Sequence, residues 1–183
     1  MTDGQQVAAA DDGVQDTRIV DFWEAARGHL GWGKVDAVLG ESVDGAVAPP
    51  AWSFGDDARL ADELLGLVLA GRKTGTSTAL VEFDLTGEPL PRVGDVSIVL
   101  DSAGDPRALL RTTAVEVLAF DAVGAEHAAA EGEDDLSLAS WRREHEVYWR
   151  RVLGDEGFST GMDVVTERFE LVYPKDGPSP AVD

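Results

Sequence analysis

The chain has 183 residues, 35 acidic against 15 basic side chains, a formal net charge of −20 and no cysteine. A chain of this length forms one domain and buries about 70% of its unfolded surface without staples. The missing thiols exclude disulfides, Cys-ligated metal centres and a Cys nucleophile, and no stretch approaches the ~18 consecutive apolar residues of a membrane span, so no membrane partner is expected.

The first ten residues lack a basic n-region and an apolar h-region, so a secretory signal is not expected and the cytoplasm is the expected location. Of the net charge, −5 falls in residues 1–17 and 174–183 and −15 in the body between them. That excess argues against a phosphate-tracking nucleic-acid surface, which needs a basic stripe, and suits solubility.

Residues 1–17, rich in Asp, Gln, Ala and Gly, and residues 174–183, with Pro174, Pro178 and Pro180, read as disordered tails. Thr17 caps a helix over 18–29, with Ile19, Phe22, Trp23 and Ala26 on one face; Gly28, Gly31 and Gly33 break it. Residues 40–55 read as irregular and end in Trp52, Ser53, Phe54 and Gly55. A second helix runs from Asp56 or Asp57 to Ala70, buries Leu60, Leu64, Leu67 and Val68, and stops at Gly71. Strands are predicted over 76–83, 95–100 and 108–120, the last two joined by a tight turn at Ala103, Gly104 and Asp105. Helices follow over 122–130 and 136–153, the second with Leu138, Trp141, His145, Tyr148, Trp149 and Val152 in one stripe. A closing strand over 163–173 alternates and places Glu167 on its apolar face with Val165, Phe169 and Leu171. This order excludes alternating βαβ units and predicts an α+β fold, an antiparallel sheet curled into a small barrel and flanked by helices, over residues 18–173.

Chemistry concentrates in two segments. Gly71-Arg72-Lys73-Thr74-Gly75-Thr76-Ser77-Thr78 contains one of only three lysines, against twelve arginines. Arg serves as the general cation, so Lys73 is either needed as an amine or caps the preceding helix. A phosphate-binding P-loop has the opposite order, strand before helix. The second segment is Glu131-Gly132-Glu133-Asp134-Asp135. Residues 112–141 hold seven acids and no Lys or Arg, so a buried carboxylate there is expected to be pushed up by like charge and to act as a general acid; Glu133, Asp134 and Asp135 read as a solvated loop capping the next helix. His29, His127 and His145 show no ligand spacing, so no metal is expected. His145, Trp141, Tyr148 and Trp149 read as core or pocket wall. No nucleophile elbow supports a Ser-His-Asp triad. Trp52 and Phe54, beside Gly55 in a loop, read as core or as rings that stack on a base or close a pocket.

Together these segments resemble the ASCH domain family, a small β-barrel fold related to PUA RNA-binding domains, in its larger bacterial branch. The carriers are Trp52-Ser-Phe54-Gly55, Ala61-Asp-Glu-Leu-Leu65, the Lys73 segment, Gly94-Asp95, Ile98-Val-Leu-Asp101, Arg111-Thr-Thr113, Glu131-Gly-Glu-Asp134, Ser137-Leu138, Trp141-Arg142 and Glu167-Arg-Phe169. The family includes small hydrolases that deacetylate acetylcytidine nucleosides, and members linked to RNA binding or cleavage. The resemblance places catalytic roles on Lys73, Thr76 and Glu131, with His127 keeping its spacing to Glu131. Around that set, Trp52, Phe54, Gly55, Thr74, Thr78 and Glu167 are expected to bind the substrate, Glu167 by lining the pocket from the apolar face of the last strand and bonding a base edge. Where those hydrolases carry an Arg two residues past the Thr, this chain has Thr78. The implied activity is hydrolysis of an amide on an acylated nucleoside or related small molecule, with no cofactor; the alternatives are a non-catalytic module for RNA or a modified nucleoside, and a ribonuclease.

Overall fold

The computed structural model describes residues 6–7, 16–30 and 47–175. The tails expected at 1–17 and 174–183 lie outside these residues except at 6–7, 16–17 and 174–175, as do Gly31, Gly33 and most of the irregular stretch before Val47. Helix α1 spans Thr17–Ala26 and passes into a 3-10 turn over Arg27–Leu30. Its cap is Asp16, one residue before the expected Thr17: the Asp16 carboxylate accepts from Arg18 N. Asp57 caps α2, Ala58–Leu69, by accepting from Leu60 N, and Gly71 at φ +70° turns the chain out of it.

The strands are β1 (Gln6–Val7), β2 (Ala51–Ser53), β3 (Gly75–Ala79), β4 (Val96–Leu100), β5 (Pro106–Ala119) and β6 (Asp163–Tyr173). They form one sheet in the order β1-β2-β4-β5-β6-β3, antiparallel except for the β2/β4 pair. The α+β expectation holds, as a curled half-barrel with five described α-helices. The hairpin turn is built by Asp101, whose carboxylate accepts from Ala103 N and Asp105 N.

Three elements depart from expectation. The strand expected over 76–83 ends at Ala79, and α3 occupies Leu80–Thr86. Glu82 accepts from Ala79 N at 3.0 Å and from Trp149 Nε1 at 2.8 Å, so a tertiary contact anchors the start of this helix. The irregular stretch contains β2, because Ala51 and Trp52 lie in register with Ile98 and Val99. Glu131 is the last residue of α4, Ala125–Glu131, rather than a loop residue. Helix α5, Leu138–Leu153, is capped by Ser137.

Side-chain alternation along the β4/β5 hairpin separates the helices. Ile98, Leu100 and Leu109 pack with Trp23 and Leu30 of the α1 segment, while Val99, Ala108 and Leu110 pack with Leu60, Leu64, Leu65 and Val68 of α2. A third cluster joins Trp141, Tyr148 and Trp149 of α5 to Ala79, Phe120, Phe158 and Val164. The link from α2 to β3 leads from an element of the second cluster to one of the third and carries Lys73.

Candidate functional site

Gly132 brings the two chemistry-bearing segments together. It ends α4 at φ +75°, and a Cβ there would lie 2.4 Å from Arg72 O and 2.8 Å from Lys73 N. Only a glycine allows this approach. Thr74 N donates to Ala130 O at 2.7 Å and fastens the contact.

Lys73 and Glu131 are both 1% exposed. Lys73 Nζ lies 2.8 Å from Glu133 Oε1, 3.7 Å from Glu131 Oε2 and 3.4 Å from Glu131 O. The amine thus pairs with carboxylates across the chain, and Glu133, expected in a solvated loop, lies against it. Glu131 Oε1 accepts from Ser77 Oγ at 2.5 Å and from Trp141 Nε1 at 2.6 Å, with His127 Nε2 at 3.1 Å. His145 donates from Nδ1 to Trp141 O at 2.9 Å, which turns its Nε2 toward Glu131 Oε2 at 3.5 Å. Neither of those two facing atoms has a hydrogen-bond partner among the described residues. A small cavity of about 10 Å³, room for about one water molecule, is lined by Glu131, Glu133, Ser140, Trp141 and His145. A wider hollow of about 430 Å³ at Leu85, Val152 and Met162 shares no lining residue with it.

The electrostatics of Glu131 reverse the sequence expectation. Burial pushes its carboxyl up, but the facing His145 ring, the hydrogen bond from His127 and the Lys73 charge outweigh burial and hold it well below the usual value of 4.5. The base-free run of sequence is therefore not base-free in space: Lys73 arrives from another element, and two histidines face inward. Those histidines lacked a ligand spacing because they converge from different helices. Ser77, His127 and Glu131 are mutual neighbours, yet Ser77 and Glu131 meet the same ring nitrogen of His127. The hydroxyl thus bonds the carboxylate directly, unlike a triad in which the imidazole stands between them. Among the described residues no three His, Asp or Glu side chains group as a metal site.

The remaining predicted residues divide between two faces of β3. Ser77 points toward α4, whereas Thr76 and Thr78 point to the opposite face, paired in register with Glu167 and Val165 of β6. Glu167 is 6% exposed; burial pushes it up to about 7, Thr112 opposes that by a hydrogen bond, and the Asp95 charge adds to it. Trp52 and Phe54 are core residues, 6% and 0% exposed, packed edge to face at 4.5 Å. Phe54 also lies 5.4 Å beneath Lys73 Nζ, so its ring backs the amine. Gly55, at φ +70°, accommodates Leu60, which a Cβ would meet at 2.7 Å. Thr74 holds the α4 end through Ala130 O and accepts Phe169 N at its own carbonyl. Sequence reasoning missed Ser77, His145 and Glu133 as members of the cluster. The one local signal was the i,i+4 spacing of His127 and Glu131, which puts both on one helix face.

The sequence model of the ASCH domain family matches residues 50–173. The chain belongs to the ASCH domain family. An ASCH domain from Lactobacillus crispatus superposes with a TM-score of 0.69 at 26% identity, over 88% of this chain and 98% of that one. A DUF984 protein from Enterococcus faecalis superposes with a TM-score of 0.67 at 29% identity, over 86% and 91%. No curated protein matches the sequence. The matched region of this ASCH domain includes every candidate residue named above, and no helix among its described residues is long and apolar enough to cross a membrane.

Proposed function

We propose that this ASCH domain hydrolyses an amide of an acylated nucleoside or related small molecule, with Lys73 and Glu131 as the reacting pair. The observation that supports this most is the full burial of both side chains with Nζ 3.7 Å from Oε2. Burying a Lys and a Glu costs several kcal/mol per ion in desolvation, and such pairs cluster at functional sites. The family's hydrolase members use the same residue types.

In this reading a water molecule attacks the acyl carbon while Glu131, ionised because of its lowered value, takes the water proton. The carbonyl oxygen becomes an oxyanion, and Lys73, flanked by two carboxylates, meets it as an ammonium in place of Glu133. The C–N bond then breaks, and the proton on Glu131 passes to the leaving nitrogen, so one water is consumed and an acid and an amine are released. An uncharged nucleoside also suits a net charge of −20 better than an RNA strand does.

A second reading, a non-catalytic nucleoside or RNA module, draws support from Glu131 Oε1, whose three donors also suit a structural latch. The experiment that separates them measures acid release from a panel of N-acylated pyrimidine nucleosides. Lys73→Ala and Glu131→Gln are expected to lower the rate by about 100-fold or more. Absence of release from every compound, with Lys73→Ala binding the panel as well as the native protein, would sink the hydrolytic reading.

A further inference from the structure

The face of β3 and β6 turned away from Ser77 holds a carboxyl group that the hydrolytic reading leaves unused. Thr76, Thr78, Val165, Glu167 and Phe169 share it, by register and alternation. Phe169 packs 6.4 Å from Phe54, and the Phe54 ring backs Lys73 Nζ, so an aromatic floor runs from the amine toward Glu167. Glu167 is 6% exposed, yet its only side-chain hydrogen-bond partner among the described residues is Thr112 Oγ1 at a long 3.4 Å. Two residues along β3 from its partner Thr76, Thr78 Oγ1 is buried with no partner among the described residues. Buried polar groups are normally satisfied, and one bonded this weakly has bonding capacity to give a ligand.

We infer that Glu167 reads the edge of an uncharged heterocycle that presents an N–H donor beside an acceptor, the amide or amidine edge of a pyrimidine or adenine-type base. A neutral carboxylic acid carries one O–H donor and one acceptor oxygen and matches that edge at both atoms. A carboxylate carries acceptors only and matches an edge with two donors, or a cation. The group's surroundings favour the acid: the neighbours from β3 and β5 are the neutral Thr76, Val115 and Thr112, and the charge that acts on it is the Asp95 carboxylate before β4. Burial first, and Asp95 second, hold Glu167 at about 7 against the Thr112 hydrogen bond, so the acid form is available near neutrality. The inference rests on the nucleoside part of the proposed function and not on the hydrolytic step.

The test is calorimetric titration of the full chain with cytidine, uridine, N3-methyluridine and guanosine from about pH 5.5 to about pH 8.5, a span that brackets the Glu167 transition. Cytidine and uridine are expected to bind below neutrality and to weaken by about tenfold per pH unit above it. N3-methyluridine, with its edge blocked, is expected not to bind. Glu167→Gln keeps one donor and one acceptor at every pH, so it is expected to bind cytidine with no pH dependence, while Glu167→Leu loses binding. Guanosine preferred increasingly as pH rises, equal binding of the blocked nucleoside, an unchanged pH profile in Glu167→Gln, or no nucleoside bound at all would each overturn the inference. Cytidine binding that follows Glu167 without any acyl release upholds it and removes hydrolysis; acyl release at native rate by Glu167→Leu does the reverse.

Discussion

A methyl group at position 132 would collide with backbone atoms of Arg72 and Lys73, and the left-handed φ of +75° adds strain for any side chain. Gly132→Ala is therefore expected to destabilise the protein by about 2–4 kcal/mol, read from the midpoint of urea denaturation, and to separate Lys73 from Glu131. The carboxyl of Glu131 makes a second prediction at this scale. Its folded value lies well below 4.5, so its contribution to stability is present above 4.5 and is lost as pH falls through the folded value. Denaturation curves on either side of that window are expected to show a steep acid limb in the native protein and a shallower one in Glu131→Gln. Equal slopes would show that other carboxylates govern acid unfolding.

At the scale of elements, the short helix α3 depends on a contact from a distant one. Glu82 holds Ala79 N at its N-terminus and Trp149 Nε1 from α5. Glu82→Ala is expected to cost about 1–3 kcal/mol, since two donors, one of them on the buried Trp149, lose their acceptor. Hydrogen exchange of amides 80–86 is expected to rise with it; protection unchanged there would mean that packing of Phe83 suffices. The same dependence explains why the local pattern of residues 76–83 reads as one strand. Its apolar and β-branched residues suit a strand, and the turn into a helix is enforced from α5. Trp52 and Phe54 illustrate the converse. Flanking Pro and Gly mark a loop locally, but pairing with β1 and β4 and burial under α2 make the segment a strand inside the sheet and its rings core.

For the whole molecule, the charge is the dominant long-range quantity. A net −20 on a chain of 183 residues is self-repulsive in the compact state. Raising sodium chloride from a low to a physiological concentration screens that repulsion within a Debye length of about 8 Å, so the thermal midpoint is expected to increase. A decrease would indicate that exposed pairs such as Arg111–Glu170 and Arg150–Glu146 outweigh the repulsion. The core buries the four tryptophans among the described residues, Trp23, Trp52, Trp141 and Trp149.

By itself the sequence determined the α+β class, the helices at α1, α2 and α5, the β4/β5 hairpin and the closing strand, because each rests on periodicity and turn chemistry within one segment. It also singled out Lys73 and Glu131, one by the scarcity of lysine and both by family motif. Tertiary structure decided what surrounds them. Ser77, His127, Trp141, His145 and Glu133 converge from four separate segments, and the charge state of Glu131 follows from that convergence rather than from its acidic neighbours in sequence. Electrostatic interaction depends on distance in space, and the distances here are set by Gly132, a residue whose role becomes visible only when another strand of backbone lies against it.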